Sequence, residues 1–162
     1  MPTQVGQIAF LLFAACGSAL AANTELDARV KGLIYELGIP SATPARSEKF
    51  DGKQAAIFKE LEGLGEPAVP YIIRYMNDRR PLPFEYIALR NNYPNAFEGF
   101  RQYAPKQVVD GLEGVLNQLT GYGGGYIYNG GTDRARDEAV ALWRRWCVLR
   151  WPELAAVCSG SN

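Results

Sequence analysis

The residues of this chain able to do chemistry are few: three cysteines (Cys16, Cys147 and Cys158), a glycine- and tyrosine-rich run at 121–131, and scattered carboxylates and arginines. Histidine is absent. Its absence removes the usual general base, the commonest transition-metal ligand and every triad or dyad built on imidazole. Three cysteines without histidine cannot form the closed four-ligand zinc sites of recognisable spacing. The carboxylates fall at spacings that solvated helix faces also produce, whereas a glycosidase-type centre needs two carboxyls facing each other across a cleft. The expectation is a non-enzymatic protein with no catalytic residue, metal or cofactor.

The run GYGGGYIYNGG at 121–131 has the composition of a phosphate loop, because glycine lets backbone amides approach an anion. Its company is wrong for that role. No Lys-Ser or Lys-Thr follows, no strand clearly precedes, and the glycine spacing is not that of a dinucleotide fingerprint. A glycine-rich loop, or a small hairpin turning at Asn129-Gly130, is expected instead. Tyr122, Tyr126 and Tyr128 either pack on the adjacent helix or present an aromatic surface to a peptide or a sugar.

The chemistry open to the cysteines depends on the compartment. Ile8 to Ala15 is an unbroken apolar run, and Ala19-Leu20-Ala21 supplies the small residues of an A-x-A cleavage site, so a signal peptide over 1–21 is expected. Phe13-Ala14-Ala15-Cys16 also resembles a bacterial lipobox, which would put a lipid anchor on Cys16; a buried N-terminal helix is the third alternative. The apolar stretch is shorter than the roughly 20 residues needed to span a bilayer, so no integral membrane span is expected and the location is periplasmic or secreted. Under export, Cys147 and Cys158 are left as the only pair, either joined in a disulfide or remaining as two thiols.

The elements that must position these residues read as helices with marked ends. Thr24 is placed to cap a first helix, with Leu26, Val30, Leu33, Ile34 and Leu37 on one face and Gly38 and Pro40 ending it. Residues 41–50 form a polar, proline-containing internal loop. Asp51 and Gln54 suggest a capping box for a second helix with a stripe of Ile57, Phe58, Leu61 and Leu64. After Gly65 and Pro67, Val69, Ile72, Ile73 and Met76 mark a third helix expected to lie side by side with the second. Pro81 and Pro83 then lead into an extended segment at 84–89, and Asn95 with Glu98 suggests a short helix carrying Phe97, Phe100 and Tyr103. From Pro105 the stripe Val108, Val109, Leu112, Val115, Leu116 and Leu119 is the strongest in the chain and is expected at the centre of the core. A last helix, capped by Thr132 or Asp133, reaches to about Trp151.

The stretch Leu61 to Arg80 (LEGLGEPAVPYIIRYMNDRR), with its glycine, its internal Pro70 and its Asn77-Asp78 end, resembles the helix pair of HEAT repeats. The order LNQLTG, aromatic glycine loop, then Arg136, Val140, Trp143 and Trp146 is similar to the closing segment of exported bacterial proteins with HEAT-like domains. The resemblance implies a mainly α fold of irregular, solenoid-like helical hairpins with a short extended or hairpin segment, forming one domain over 22–162.

Composition agrees with one ordinary globular unit: 162 residues, 21% charged, and a formal net charge of zero with no long basic block. Nothing marks a nucleic-acid footprint. HEAT-like helix pairs bind proteins or peptides, so the expected partner-binding residues are Tyr71, Arg74, Tyr75, Arg79 and Arg80, which lie off the core stripe. The alternative is an envelope glycan-binding protein or weak glycan hydrolase using Tyr122, Tyr126, Tyr128 and Trp151 with an acid such as Asp133.

Overall fold

A computed structural model describes residues 8–37, 48–82 and 86–160, and among these the protein is mainly α-helical. Helix α1 spans Ile8–Leu37, α2 Glu48–Gly63, α3 Val69–Arg74, α4 Val108–Thr120, α5 Asp133–Arg150 and α6 Ala155–Cys158. Strands β1 (Ile87–Arg90) and β2 (Phe100–Tyr103) form an antiparallel pair with Ile87 opposite Tyr103 and Arg90 opposite Phe100. Residues 1–7, the 41–47 part of the expected internal loop, and Phe84 lie outside the described residues. Among the described residues no helix is long and apolar enough to cross a membrane.

The expected stripes set the core. Val30, Ile34 and Leu37 of α1, Phe58 and Leu61 of α2, and Val69, Ile72 and Ile73 of α3 with Met76 just beyond it are buried in one cluster. Every residue of α4 from Val108 to Gln118 is buried, which places this helix at the centre. Gly121 takes the left-handed conformation (φ 68°) at its C-terminus and its N–H donates to the Asn117 carbonyl, a close that glycine makes without steric cost.

Several local expectations are corrected. Thr24 does not start a helix: α1 runs unbroken through Cys16, Ala21 and Thr24, because Ala14 to Asn23 is alanine-rich and contains no proline to stop it. Helix α2 begins at Glu48, so 48–50 belong to it and Asp51 and Gln54 lie inside it. The third helix is cut to a 3-10 turn at Glu66–Ala68 and the six residues of α3, since Pro67 and Pro70 each lack the donor a continuous helix needs. Nor does α3 pair chiefly with α2. It packs among α1, α4, α5 and α6, while α2 packs on α1, α4 and β1.

The expected helix at 95–103 is a turn followed by β2. Asn95 adopts a left-handed φ of 62°, and Asn91 N–H donates to the Gly99 carbonyl at 3.0 Å, closing a hairpin loop where a helix would have run. An isolated antiparallel bridge between Pro81 and Gln107, with the Leu82 N–H donating to the Lys106 carbonyl, ties the segment after α3 to the start of α4. Pro105 stands before α4, whose N-cap is Gln107, its backbone N–H donating to Asp110 Oδ2 at 3.0 Å.

Candidate functional site

The buried face of α4 that points away from the apolar stripe carries Asp110, Glu113, Asn117 and Gln118, each almost wholly out of water. Buried polar groups persist only when their bonds are satisfied, and each of these has a defined set of partners. Asp110 accepts from Arg136 Nε at 2.7 Å and Nη2 at 3.0 Å, and from the Lys106 and Gln107 backbone N–H groups at 3.0 Å each. The side-chain bond from Asp110 holds the Arg136 pKa above its ordinary value, against the cost of burial. Asn117 accepts from Tyr93 Oη (3.1 Å), Tyr103 Oη (3.4 Å) and Arg101 Nη1 (3.5 Å), and donates to the Tyr122 carbonyl. Gln118 donates to Tyr103 Oη and accepts from Asn92 N–H.

Glu113 explains the glycine run. Its Oε1 accepts from Gly125 N–H at 2.6 Å and from Trp143 Nε1 at 3.4 Å, and its Oε2 accepts from Ile127 N–H. The loop amides thus cradle an anion, as the composition suggested, but the anion is the protein's own carboxylate. Burial pushes the Glu113 pKa up and the donors oppose it. The glycines are required by contact: a Cβ on Gly124 would stand 2.1 Å from Trp143 Nε1, and one on Gly125 2.2 Å from Ala139 Cβ. The segment forms no strand pair; it is a loop with a turn closed by Gly130 N–H on the Ile127 carbonyl at 2.7 Å.

The expected partner-binding residues do not form an exposed face. Tyr71 is buried at 3%, because α3 is covered on all sides by the helices around it. Arg74 Nη1 (2.8 Å) and Tyr75 Oη (3.0 Å) both bond Asp27 of α1. Burial, followed by Asp27, raises the Tyr75 pKa. Arg79 bonds Asp137 at 2.6 Å, and Arg80 bonds Asp78 and donates to the carbonyls of Tyr35 (2.9 Å) and Ile34 (3.0 Å). These residues tie α1, α5 and the segment after α3 together.

The aromatic residues proposed for glycan contact are divided between two clusters. Tyr122 stacks on Trp146 with centroids 5.3 Å apart, and Trp146 meets Trp151 edge-on at 5.4 Å. Tyr128 packs edge-on against both Tyr103 and Tyr126, on β2 and in the loop. Asp133 is not enclosed with either. Its side chain is 84% exposed in the first turn of α5, where it pairs with Arg136 Nη1 at 3.2 Å, while Thr132 caps the helix through Ala135 N–H. A glycosidase acid stands inside a cleft, whereas Asp133 lies open to solvent beside Arg136, which argues against a hydrolase built on it. Cys147 and Cys158 are joined by a disulfide that fastens α6 to α5, with both residues fully buried.

Two surface features escaped the sequence reading. A shallow cleft of 410 Å³ lies between the hairpin loop and the end of α4, lined by Asn92, Tyr93, Pro94, Gln118, Leu119, Thr120 and Gly121. Beside it the hairpin exposes aromatics: Phe97 is 103% exposed at its tip, Phe100 67% on β2, and Tyr86 61% just before β1. Alternation along β1, with Ile87 and Leu89 in and Ala88 and Arg90 out, was the available signal for this face. Among the described residues no group of three or more cysteine or carboxylate side chains is placed to hold a metal ion.

No family model matches the sequence, and no match to it was found among curated proteins or solved structures.

Proposed function

We propose that this protein is an exported, non-enzymatic interaction module that binds an extended apolar segment of a protein or peptide along its β-hairpin. The observation that carries the reading is the exposure of Phe97, Phe100 and Tyr86 on one projecting element. Lone exposed hydrophobic residues are ordinary, but aromatics gathered on a hairpin mark a contact surface. Strand β2 pairs with β1 on one side only, and no other strand joins its free edge among the described residues. An extended peptide adding to that edge would gain backbone hydrogen bonds there and rest side chains on Phe100.

Export is supported by the apolar leader at Ile8 to Ala15 and by the burial pattern of α1. Ala21 to Glu25 are exposed and Leu26 packs against the core, so a chain beginning after Ala21 keeps every residue of the described core. The buried disulfide suits an oxidising compartment. For the HEAT-like reading of Leu61 to Arg80 the support is the burial of Val69, Ile72, Ile73 and Met76 on one stripe; against it, α3 packs among α1, α4, α5 and α6 and not chiefly on α2.

A second reading, glycan binding, is favoured by the cleft, whose lining includes the polar residues Asn92, Gln118 and Thr120 together with Tyr93. Sugar recognition combines such polar groups with an aromatic face.

Selection of random peptides displayed on phage against residues 22–162 tests the first reading. Enriched peptides should be apolar and β-favouring, and Phe97→Ser with Phe100→Ser should abolish their binding without lowering Tm. Undiminished binding by that double variant would refute the hairpin site. Retention of envelope glycan, lost on Tyr93→Ala, would favour the second reading.

A further inference from the structure

Helix α5 is anchored on one side and open on the other. It packs on α3, α6 and the 3-10 turn at Pro152–Leu154. On its outer side Ala135, Leu142 and Leu149 recur every seven residues, so they form one stripe along the helix, each about 10.5 Å from the next. Leu149 is 78% exposed and Leu142 38%, while the small Ala135 is half-buried. Aligned apolar side chains left in water on a helix whose other side is already packed mark a contact surface.

The charges beside the stripe are ordered. Glu138 and Arg145 are also seven residues apart, on the same edge of it, each three residues past a stripe position. Arg145 is exposed and has no ion pair among the described residues. Glu138 bonds Arg134 at 2.8 Å through Oε1, an exposed pair within the helix that contributes little to stability and is easily shared. Turning a copy of α5 by 180° about an axis beside Leu142 reverses the order of these positions. Leu142 then meets the partner's Leu142, and Leu149 comes level with the partner's Ala135, because both lie seven residues from the axis. Glu138 and Arg145 lie four residues before it and three after it, so each comes level with its opposite charge on the partner. In an antiparallel pair related this way, like edges of the two helices lie together, which brings those charges face to face.

We propose that the outer face of α5 is a contact between two copies of this chain, which pack their α5 helices antiparallel about a two-fold axis beside Leu142. Such a contact uses the same patch on both copies and requires the patch to be complementary to itself. The α5 face meets that requirement in shape, with a large Leu149 over the partner's Ala135, and in charge, with Glu138 against the partner's Arg145 on both sides of the axis. A partner of unrelated sequence would impose no such spacing. One helix pair is a small interface, so the dimer is weak, with a Kd of about 1–100 μM. The contact is separate from the hairpin and does not rest on peptide binding there.

The test is sedimentation equilibrium of the disulfide-bonded chain over residues 22–162, at concentrations of about 1–500 μM that bracket this Kd. A reversible monomer–dimer equilibrium is expected. Glu138→Arg and Arg145→Glu each set like charges against each other at both contacts, so each should weaken self-association by about tenfold or more. Both positions are exposed, so circular dichroism should not change. Mixed in equal amounts, the two single variants should form a heterodimer, because every charge contact in the mixed pair then joins opposite signs. The double variant carrying both reversals should self-associate like the wild type. Phe97→Ser on the hairpin should leave the dimer intact, and its dissociation by that change would place the contact on the hairpin and overturn the proposal. A chain that stays monomeric throughout the range, dimers that survive both single reversals, or single variants that do not pair on mixing would each overturn it as well.

Discussion

Replacing Glu113 by alanine should detach the glycine–tyrosine loop from α4 and cost a sizeable share of the stability. The Gly125 and Ile127 N–H groups would lose their acceptor inside the protein, and Trp143 Nε1 would lose its longer contact. Each orphaned buried donor costs about 1–3 kcal/mol, so the two backbone amides together cost about 2–6 kcal/mol. Part of this is returned, because the carboxylate itself is held against a burial penalty, and the expected net loss is about 2–4 kcal/mol. For a domain stabilised by about 5–15 kcal/mol this is large. Urea unfolding followed by tryptophan fluorescence measures the loss, and hydrogen exchange at Gly125 and Ile127 reports the loop directly. Glu113→Gln keeps one acceptor oxygen and turns an NH2 towards the other donors, so it should cost about 1–3 kcal/mol.

The pH dependence of the same pair carries a sign. Burial raises the folded-state pKa of Glu113 above its ordinary 4.5, so the folded form holds the proton more tightly than the unfolded form does. The contribution to stability is therefore fullest below 4.5 and is lost as pH rises through the folded pKa. Wild type should lose stability relative to Glu113→Gln over that window, at up to about 1.4 kcal/mol per pH unit. A Glu113→Ala loss below about 1 kcal/mol with both amides still protected, or a wild-type-minus-Gln profile that rises with pH, would refute the reasoning.

Gly125→Ala should destabilise by about 1–3 kcal/mol in urea, because the new methyl group meets Ala139 at 2.2 Å, while Gly32→Ala, with nothing within 4 Å, should gain about 0.5–1 kcal/mol from helix propensity. Arg136→Ala should cost about 3–5 kcal/mol by leaving Asp110 without its counter-ion in the core, whereas Arg134→Ala on the exposed side of α5 should leave Tm unchanged. Cys158→Ser should cost about 3 kcal/mol for the loop of 11-residue separation, and limited proteolysis should then cut between Trp151 and Cys158. Equal stability of the oxidised and serine forms would show that α6 is held by packing alone.

Periodicity made the apolar half of the fold legible. The stripes on α1, α2 and α4 and the burial of Val69, Ile72, Ile73 and Met76 follow from spacing, since a side chain's face on a helix is fixed by its position in the repeat. Of the extended segment expected at 84–89, the part from Ile87 to Leu89 was also readable, from its β-favouring residues; it lies in β1. Composition set the class of the protein as one with few chemical groups, and the missing histidine removed the commonest kinds of centre.

Tertiary structure alone decided which polar residues meet water. By pattern, Asp110, Glu113, Asn117 and Gln118 are the wet side of an amphipathic helix, and Tyr71 is off the core stripe. Yet a loop and a hairpin cover the first group, and four helices enclose the second. A helical repeat reports one apolar face; it carries no term for what a distant segment lays over the other. The glycine run could not reveal that its anion is Glu113, because the bond spans a loop whose path is set by the close approach of Gly124 and Gly125 to α5. The same reason moved the candidate contact surface from the Tyr71–Arg80 segment, whose arginines are occupied by Asp27, Asp78 and Asp137, to the hairpin, whose aromatics nothing in the described chain covers.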